Sequence, residues 1–125
     1  MKFSREFVEA EIVILSHEDG GRVMPLPVSA YQGMYKPHIV IQPRYIREAN
    51  INVLDGMRHI EDVYLGVAFL RDPEPIPISS PFVLTMVLMY APHSVYDPVV
   101  PDAEFTIREG PRIVGHGKIL KRWKE

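Results

Sequence analysis

The chain has no cysteine, little net charge and no long apolar run. Without cysteine, disulfides, thiolate metal sites and cysteine nucleophiles are excluded. Fourteen basic residues against sixteen acidic ones give a net charge of -2, so overall charge does not draw the chain to nucleic acid or an acidic membrane. No stretch approaches the roughly 18 apolar residues of a membrane span, and the first residues lack the apolar segment of a secretion signal. We therefore expect a cytoplasmic protein without membrane contact.

Motifs for phosphate binding, metal binding and catalysis are missing as well. There is no Gly-x-x-x-x-Gly-Lys-Ser/Thr loop, and the five histidines show no paired-ligand spacing. No Gly-x-Ser-x-Gly elbow accompanies the serines. The sequence predicts no catalytic residue, no cofactor, no metal and no GTPase activity.

Proline and short β-type segments are abundant. Twelve prolines in 125 residues separate runs that are rich in Val, Ile, Phe and Tyr. Six of these runs predict strands, at residues 8–15, 35–42, 63–70, 82–91, 104–109 and 112–120. We expect one all-β domain over residues 1–125, closed into a small six-stranded antiparallel barrel because closure removes the sheet edges. A β-sandwich is the competing architecture.

Two segments leave alternatives open. Apolar residues recur at steps of three and four between residues 45 and 57, which favours a short helix there, but Asn and Gly residues in the same stretch favour an irregular loop equally. The run from Phe82 to Ala91 is apolar except for Thr85. A crowded barrel wall and a protein interface both have this pattern.

The segment at residues 105–117 reads FTIREGPRIVGHG and predicts a β-hairpin. Proline is locked near a φ of about -65°, so a type I′ turn is excluded and a type II′ turn with Gly110 first remains. In that register Glu109 and Arg112 face one another as an opposite-charge pair. The two glycines that follow on the second strand favour a bulge.

This hairpin closely resembles the C-terminal, third β-barrel domain of elongation factor Tu and its relatives, whose hallmark is Phe-x-Ile-Arg-Glu-Gly-x-Arg-x-Val-Gly-x-Gly. Residues 7–22, FVEAEIVILSHEDGGR, look like the first strand and turn of that domain, and the Tyr-Lys-Pro-His at 35–38 sits where the family has Tyr-Arg-Pro and a polar residue. The residues that fit the hallmark are Phe105, Ile107, Arg108, Glu109, Gly110, Arg112, Val114, Gly115 and Gly117.

The resemblance implies a barrel that binds the T-stem of aminoacyl-transfer RNA and protein partners. By position, Lys36, His38 and Glu109 correspond to residues implicated in the RNA contact. A lysine suits a phosphate, and the other two suit sugar or base edges. Arg112 is most simply the cross-strand partner of Glu109. The region 43–64 is longer than the family's link, and Pro111 stands where the family commonly has glycine.

The last residues form a basic segment. From Phe105 to Glu125 six basic residues stand against two acidic ones, which leaves +4 there and -6 on the rest of the chain. Lys121, Arg122 and Trp123 match the way single-strand binders grip phosphates and stack on bases. A solvated, fraying chain end is the alternative, and we favour it.

From these observations we expect a non-catalytic binding module related to the third domain of elongation factor Tu. Its partner would be a protein or a structured, transfer-RNA-like RNA connected with translation. One alternative is a hydrolase or transferase with its site in loops 43–64 and 73–101. Another is a structural subunit that forms a homo-oligomer.

Overall fold

A computed structural model of the chain describes residues 5–24, 35–49, 51–54, 56–60, 62–70 and 77–125. The only helical elements in these ranges are two 3-10 turns, His17–Asp19 and Ser94–Tyr96. None of the described helical turns has the length and apolarity needed to cross a membrane. The strands are β1 (Glu6–Ile14), β2 (His38–Ile41), β3 (Ile51–Leu54), β4 (Met57–Ile60), β5 (Leu65–Leu70), β6 (Phe82–Leu88), β7 (Glu104–Glu109) and β8 (Arg112–Lys124).

Six of these strands close into one antiparallel barrel. Their order is β1-β6-β5-β2-β7-β8, and β8 returns to pair with β1. The predicted all-β fold and closed barrel are therefore confirmed, and the sandwich alternative is wrong. Closure satisfies the strand edges that an open sheet of this size would expose.

The interior of the barrel holds the main core. Alternate residues of each strand point inward, as the two-residue period of a strand dictates. On β6, Phe82, Leu84, Met86 and Leu88 are buried while Val83 is exposed. The run from Phe82 to Ala91 is thus a barrel wall. Its one outward buried residue, Val87, joins a small apolar cluster outside the barrel.

The expected helix near residues 45–57 is wrong, and so is the irregular loop in its second half. Residues 51–54 and 57–60 form the strands of a two-stranded antiparallel hairpin outside the barrel. Gly56 has a φ of 76°, which favours glycine, and it follows Asp55 in the Asp-Gly pair that is a strong signal for a tight β-hairpin. That local signal outweighed the helical spacing.

The predicted hairpin of β7 and β8 is confirmed. Glu109 pairs with Arg112, and Gly110 has the positive φ, 59°, that a type II′ turn needs at its first central position. A register shift on β8 leaves Val114 as an extra residue, so Ile113 and Val114 are both buried. This is the predicted bulge, located just before the first of the two glycines.

Candidate functional site

Glu109 lies at the turn end of β7, where its carboxylate is held by two side chains. Arg22 approaches it with Nε 2.9 Å from Oε2, and the Tyr35 hydroxyl donates a hydrogen bond to the same oxygen. The expected ion pair with Arg112 is wrong although the register is right. Nη1 of Arg112 donates instead to the Gly21 carbonyl, 3.4 Å away. The turn after β1 supplies Arg22 to Glu109 and the Gly21 carbonyl to Arg112. The apolar pattern of the strands cannot predict contacts between segments so far apart in the chain.

Lys36 and His38 lie at the same end of the barrel, next to Tyr35. Lys36 is exposed and has no hydrogen bond or ion pair within the described ranges. The His38 ring is half-buried and tilted against the Tyr64 ring, with 5.5 Å between centroids. The structure therefore brings Lys36, His38 and Glu109 together. Among the described residues, Lys36 is the only one of the three whose side chain has no hydrogen bond, ion pair or ring contact.

The basic residues at the end of the chain lie elsewhere, on the last part of β8. This part pairs with the start of β1, so the expected fraying end is wrong. Trp123 stacks on Phe7 with 5.7 Å between ring centroids. These contacts could not be predicted from the sequence, because they join the first and last strands, which meet only when the barrel closes.

Acidic residues of β1 pair with two basic residues of this segment, Lys121 and Arg122. Nη2 of Arg122 lies 3.1 Å from Glu6, whose side chain is 5% exposed, and Nη1 of the same arginine donates to the carbonyl of Tyr96 at 2.7 Å. Nζ of Lys121 lies 3.9 Å from Glu9. These charges are already balanced within the protein, which weakens the case for a phosphate grip.

A buried arginine on β7, which the sequence analysis names only as part of the family hallmark, forms a polar network. Arg108 points outward from the barrel, as Thr106 does, yet it is completely buried and is surrounded by hydrogen-bond partners from residues 42 and 62–64. Its Nη2 donates to Gln42 at 2.7 Å and to Asp62 at 2.9 Å, and its Nη1 donates to Tyr64 at 3.1 Å. The only hint in the sequence is a charged residue on an outward strand position beside a long, unfamiliar loop.

Next to this network, β2 and β5 diverge. They pair only at His38 with Gly66 and at Ile39 with Leu65. Before that point the chains stay together, because Val67 N donates to the Pro37 carbonyl at 3.1 Å. Beyond it, β2 continues along β7 while the chain before β5 bends away. We call the resulting opening the seam cleft.

The seam cleft has a volume of about 350 Å³ and mostly apolar walls. Such a volume and lining are typical of binding sites. Gln42 and Asp62 of the arginine network form its polar part. Its lining residues are Val40, Ile41, Gln42, Asp62, Val63, Leu65, Val95 and Pro98.

A buried tyrosine fixes the loop that supplies one wall of the cleft. The Tyr96 hydroxyl donates to the Gly66 carbonyl at 2.7 Å and accepts from the Tyr90 amide at 3.1 Å. Desolvation by burial raises the pKa of this hydroxyl above its ordinary value. It therefore stays protonated and keeps the loop that carries Val95 and Pro98 in place.

Two further titratable side chains, on the outer face of β7 and β8, have shifted pKa values. The amide of Arg44 donates to the Glu104 carboxylate at 3.0 Å and lowers its pKa. Burial lowers the pKa of His116, assisted by the positive charges of Arg47 and Arg44. Nδ1 of His116 is buried and has no hydrogen-bond partner in the described part of the chain.

A second, wider cleft of about 530 Å³ lies beside the hairpin turn. Arg47 and Arg112 line it, but so do Asp19 and Glu48, so its charges are balanced. Within the described ranges, no group of three or more His, Asp or Glu residues is arranged to hold a metal ion. No protein-family model matches the chain, and no curated protein matches it.

Proposed function

We propose that the chain is a non-catalytic binding module, related to the third domain of elongation factor Tu, that holds a protein partner in the seam cleft. The observation that carries this proposal is the cleft itself, an apolar opening whose walls are fixed from both sides. The Arg108 network holds one wall, and the Tyr96 hydroxyl holds the other. A preformed apolar site loses little conformational entropy when a partner binds.

The pairing of the basic residues favours a protein over RNA as the main partner. Of the residues predicted to contact RNA or a partner, Glu109, Lys121 and Arg122 have counter-charges within the chain. Trp123 is stacked on Phe7. RNA affinity depends on unpaired cations that neutralise phosphates. By analogy with the translation factor, we place this module in the cytoplasm and connect it with protein synthesis.

The test is capture from a native cell extract with three immobilised chains. Val63→Glu puts a charge on the wall of the cleft, and Val53→Glu is the matched control because both valines are 62% exposed and Val53 lies on the outer hairpin. We expect the same protein on the wild type and on Val53→Glu, but not on Val63→Glu, with or without ribonuclease. Capture that is equal on all three chains would contradict the cleft.

RNA binding is a second candidate function, and the observation that favours it is Lys36. This lysine is exposed and unpaired within the described ranges, beside His38. Capture that disappears after ribonuclease treatment would favour this candidate. For the hydrolase or transferase alternative, residues 50, 55, 61 and 73–76 of the two loops lie outside the described residues.

A further inference from the structure

We propose that the seam cleft binds its partner as an extended, mainly apolar peptide whose backbone pairs with Ile41. This inference rests on the proposed function and names the kind of segment that the same cleft would take. It goes beyond that function because an apolar cleft alone would also fit a helix or the side of a folded domain.

The backbone of β2 supplies the first step of the argument. Gln42 N donates to the Glu104 carbonyl at 3.0 Å, so Gln42, and with it Val40, directs its peptide groups toward β7. In an antiparallel strand, alternate residues direct their N–H and C=O groups to opposite sides. Ile39 and Ile41 therefore direct theirs toward β5.

On that side the two strands separate after Ile39. Ile39 still pairs with Leu65, but the next position, Ile41, would need Val63, and no hydrogen bond joins the two. Within the described ranges the N–H and C=O of Ile41 have no partner, and Ile41 lines the cleft. An unpaired donor and acceptor on a strand edge form a template for one residue of an extended chain.

The side chain of Gln42 supports a peptide backbone in the same place. Its Oε1 accepts from the Thr106 hydroxyl at 2.6 Å and from Arg108 at 2.7 Å. Gln42 lines the cleft, and its Nε2 has no hydrogen-bond partner within the described ranges, so it is available to donate to a peptide carbonyl. The cleft thus combines an apolar lining with hydrogen-bonding groups suited to a peptide backbone rather than to the apolar face of a helix.

The lining indicates the kind of peptide. Six of the eight described lining residues are apolar, and the carboxylate of Asp62 is 8% exposed and already lies 2.9 Å from Nη2 of Arg108. A bound segment with apolar side chains is therefore favoured.

The experiment selects binders from a phage-displayed library of random twelve-residue peptides on the full chain, with Val63→Glu and Val53→Glu as comparisons. We expect apolar sequences that bind the wild type and Val53→Glu equally and Val63→Glu more weakly, because a carboxylate on the apolar wall would lose its hydration when the peptide binds. One net hydrogen bond corresponds to about tenfold in affinity, so N-methylation of the peptide residue that pairs with Ile41 should weaken binding about tenfold. Amide exchange at Ile41 should slow when the peptide binds.

The outcomes separate this inference from the proposed function. If peptides require Val63 but tolerate N-methylation at every position and leave Ile41 exchange unchanged, the extended pairing is contradicted while the cleft stands. If the selected peptides are mainly polar or charged, the argument from the apolar lining is contradicted. If no peptide prefers the wild type over Val63→Glu, the inference fails. Capture of a folded protein from the extract then decides the proposed function independently.

Discussion

Two pairs of neighbouring strands in the barrel are joined very differently, and we call each such junction a seam. β1 and β8 pair along the whole of β1, from Glu6 with Lys124 to Ile14 with Gly115. β2 and β5 pair at two positions and then separate. The first seam is also sealed outside by the stacked rings of Phe7 and Trp123, whereas the second opens into a cleft.

The difference shows how one closed sheet serves stability and binding in separate places. Continuous pairing between the first and last strands links distant parts of the chain and satisfies their backbone groups. In the part of the chain that the structure describes, the short β2–β5 pairing leaves the N–H and C=O of Ile41 without a partner beside an apolar wall. The Arg108 network links Gln42 and Asp62 of that wall. Strand edges left open in this way are where peptide partners add.

The largest expected effect comes from breaking the network at the open seam. Arg108→Ala removes a buried cation whose Nη2 lies 2.9 Å from a carboxylate oxygen of Asp62, a side chain that is only 8% exposed. Breaking a buried ion pair costs about 3–5 kcal/mol of unfolding free energy. The control is Arg44→Ala, which removes an exposed pair with Glu104 and should cost less than about 1 kcal/mol. Denaturant unfolding measures both, and equal losses would contradict the role given to the network.

A smaller loss should follow from crowding the tight seam. A Cβ on Gly117 would lie 2.6 Å from the Glu11 carbonyl oxygen and 2.6 Å from the Phe105 ring. Gly117→Ala should therefore cost about 1–3 kcal/mol, as overpacking does. Val83→Ala, at a 45% exposed strand position, is the control and should stay within about 0.5 kcal/mol. A neutral Gly117→Ala would show that this seam is looser than its pairing indicates.

His116, on the outer face of β8, should make the unfolding free energy of the protein sensitive to acid. Its folded-state pKa lies below its ordinary value of 6.5, so below that pH the unfolded chain binds more protons than the folded one. Stability is then fully present above pH 6.5 and declines as the pH falls toward the lowered folded pKa. Because the ring is only partly buried, solvent screens part of this effect, and the loss should be smaller than that of Gly117→Ala.

The measurement for His116 is the unfolding free energy at pH 8 and pH 5.5. His116→Gln should show a smaller drop between the two pH values than the wild type, because the remaining decline then comes from other groups. A drop of the same size in both chains would remove His116 as the cause.

The smallest effect is expected at Lys36, just before the part of β2 that is still paired with β5. Lys36→Ala should change stability by less than about 0.5 kcal/mol, because the side chain is exposed. The RNA candidate predicts that, with transfer RNA as the probe, this change weakens binding and lowers the salt slope by about 1. Binding that is absent or independent of salt would eliminate that candidate.

Local signals predicted a large part of the fold. The boundaries of β7 are as expected, and the Gly110-Pro111 turn follows from the fixed φ of proline. The helical spacing between residues 45 and 57 gave a wrong prediction. Apolar residues at steps of three and four are compatible with a helix but do not require one, whereas the Asp-Gly pair is a specific signal for a hairpin. The open edge at Ile41 and the partners of Arg108 belong to contacts between segments far apart in the chain, which no local pattern encodes.

The resemblance to the third domain of elongation factor Tu rests on sequence motifs, and the closed barrel is compatible with it. The candidate site could be predicted only in part. Lys36, His38 and Glu109, to which the resemblance assigns an RNA contact, lie at one end of the barrel, while Lys121 and Arg122 at the end of β8 pair with acidic residues of β1.

By itself, the order of residues determined the alternation of apolar and polar positions, the turns that glycine and proline permit, and hence a sheet that must close. Tertiary structure alone decided which charges cancel and where two strands part. The reason is physical: strand periodicity and turn geometry act over a few residues, whereas ion pairing and seam width depend on segments that meet only after the barrel has formed.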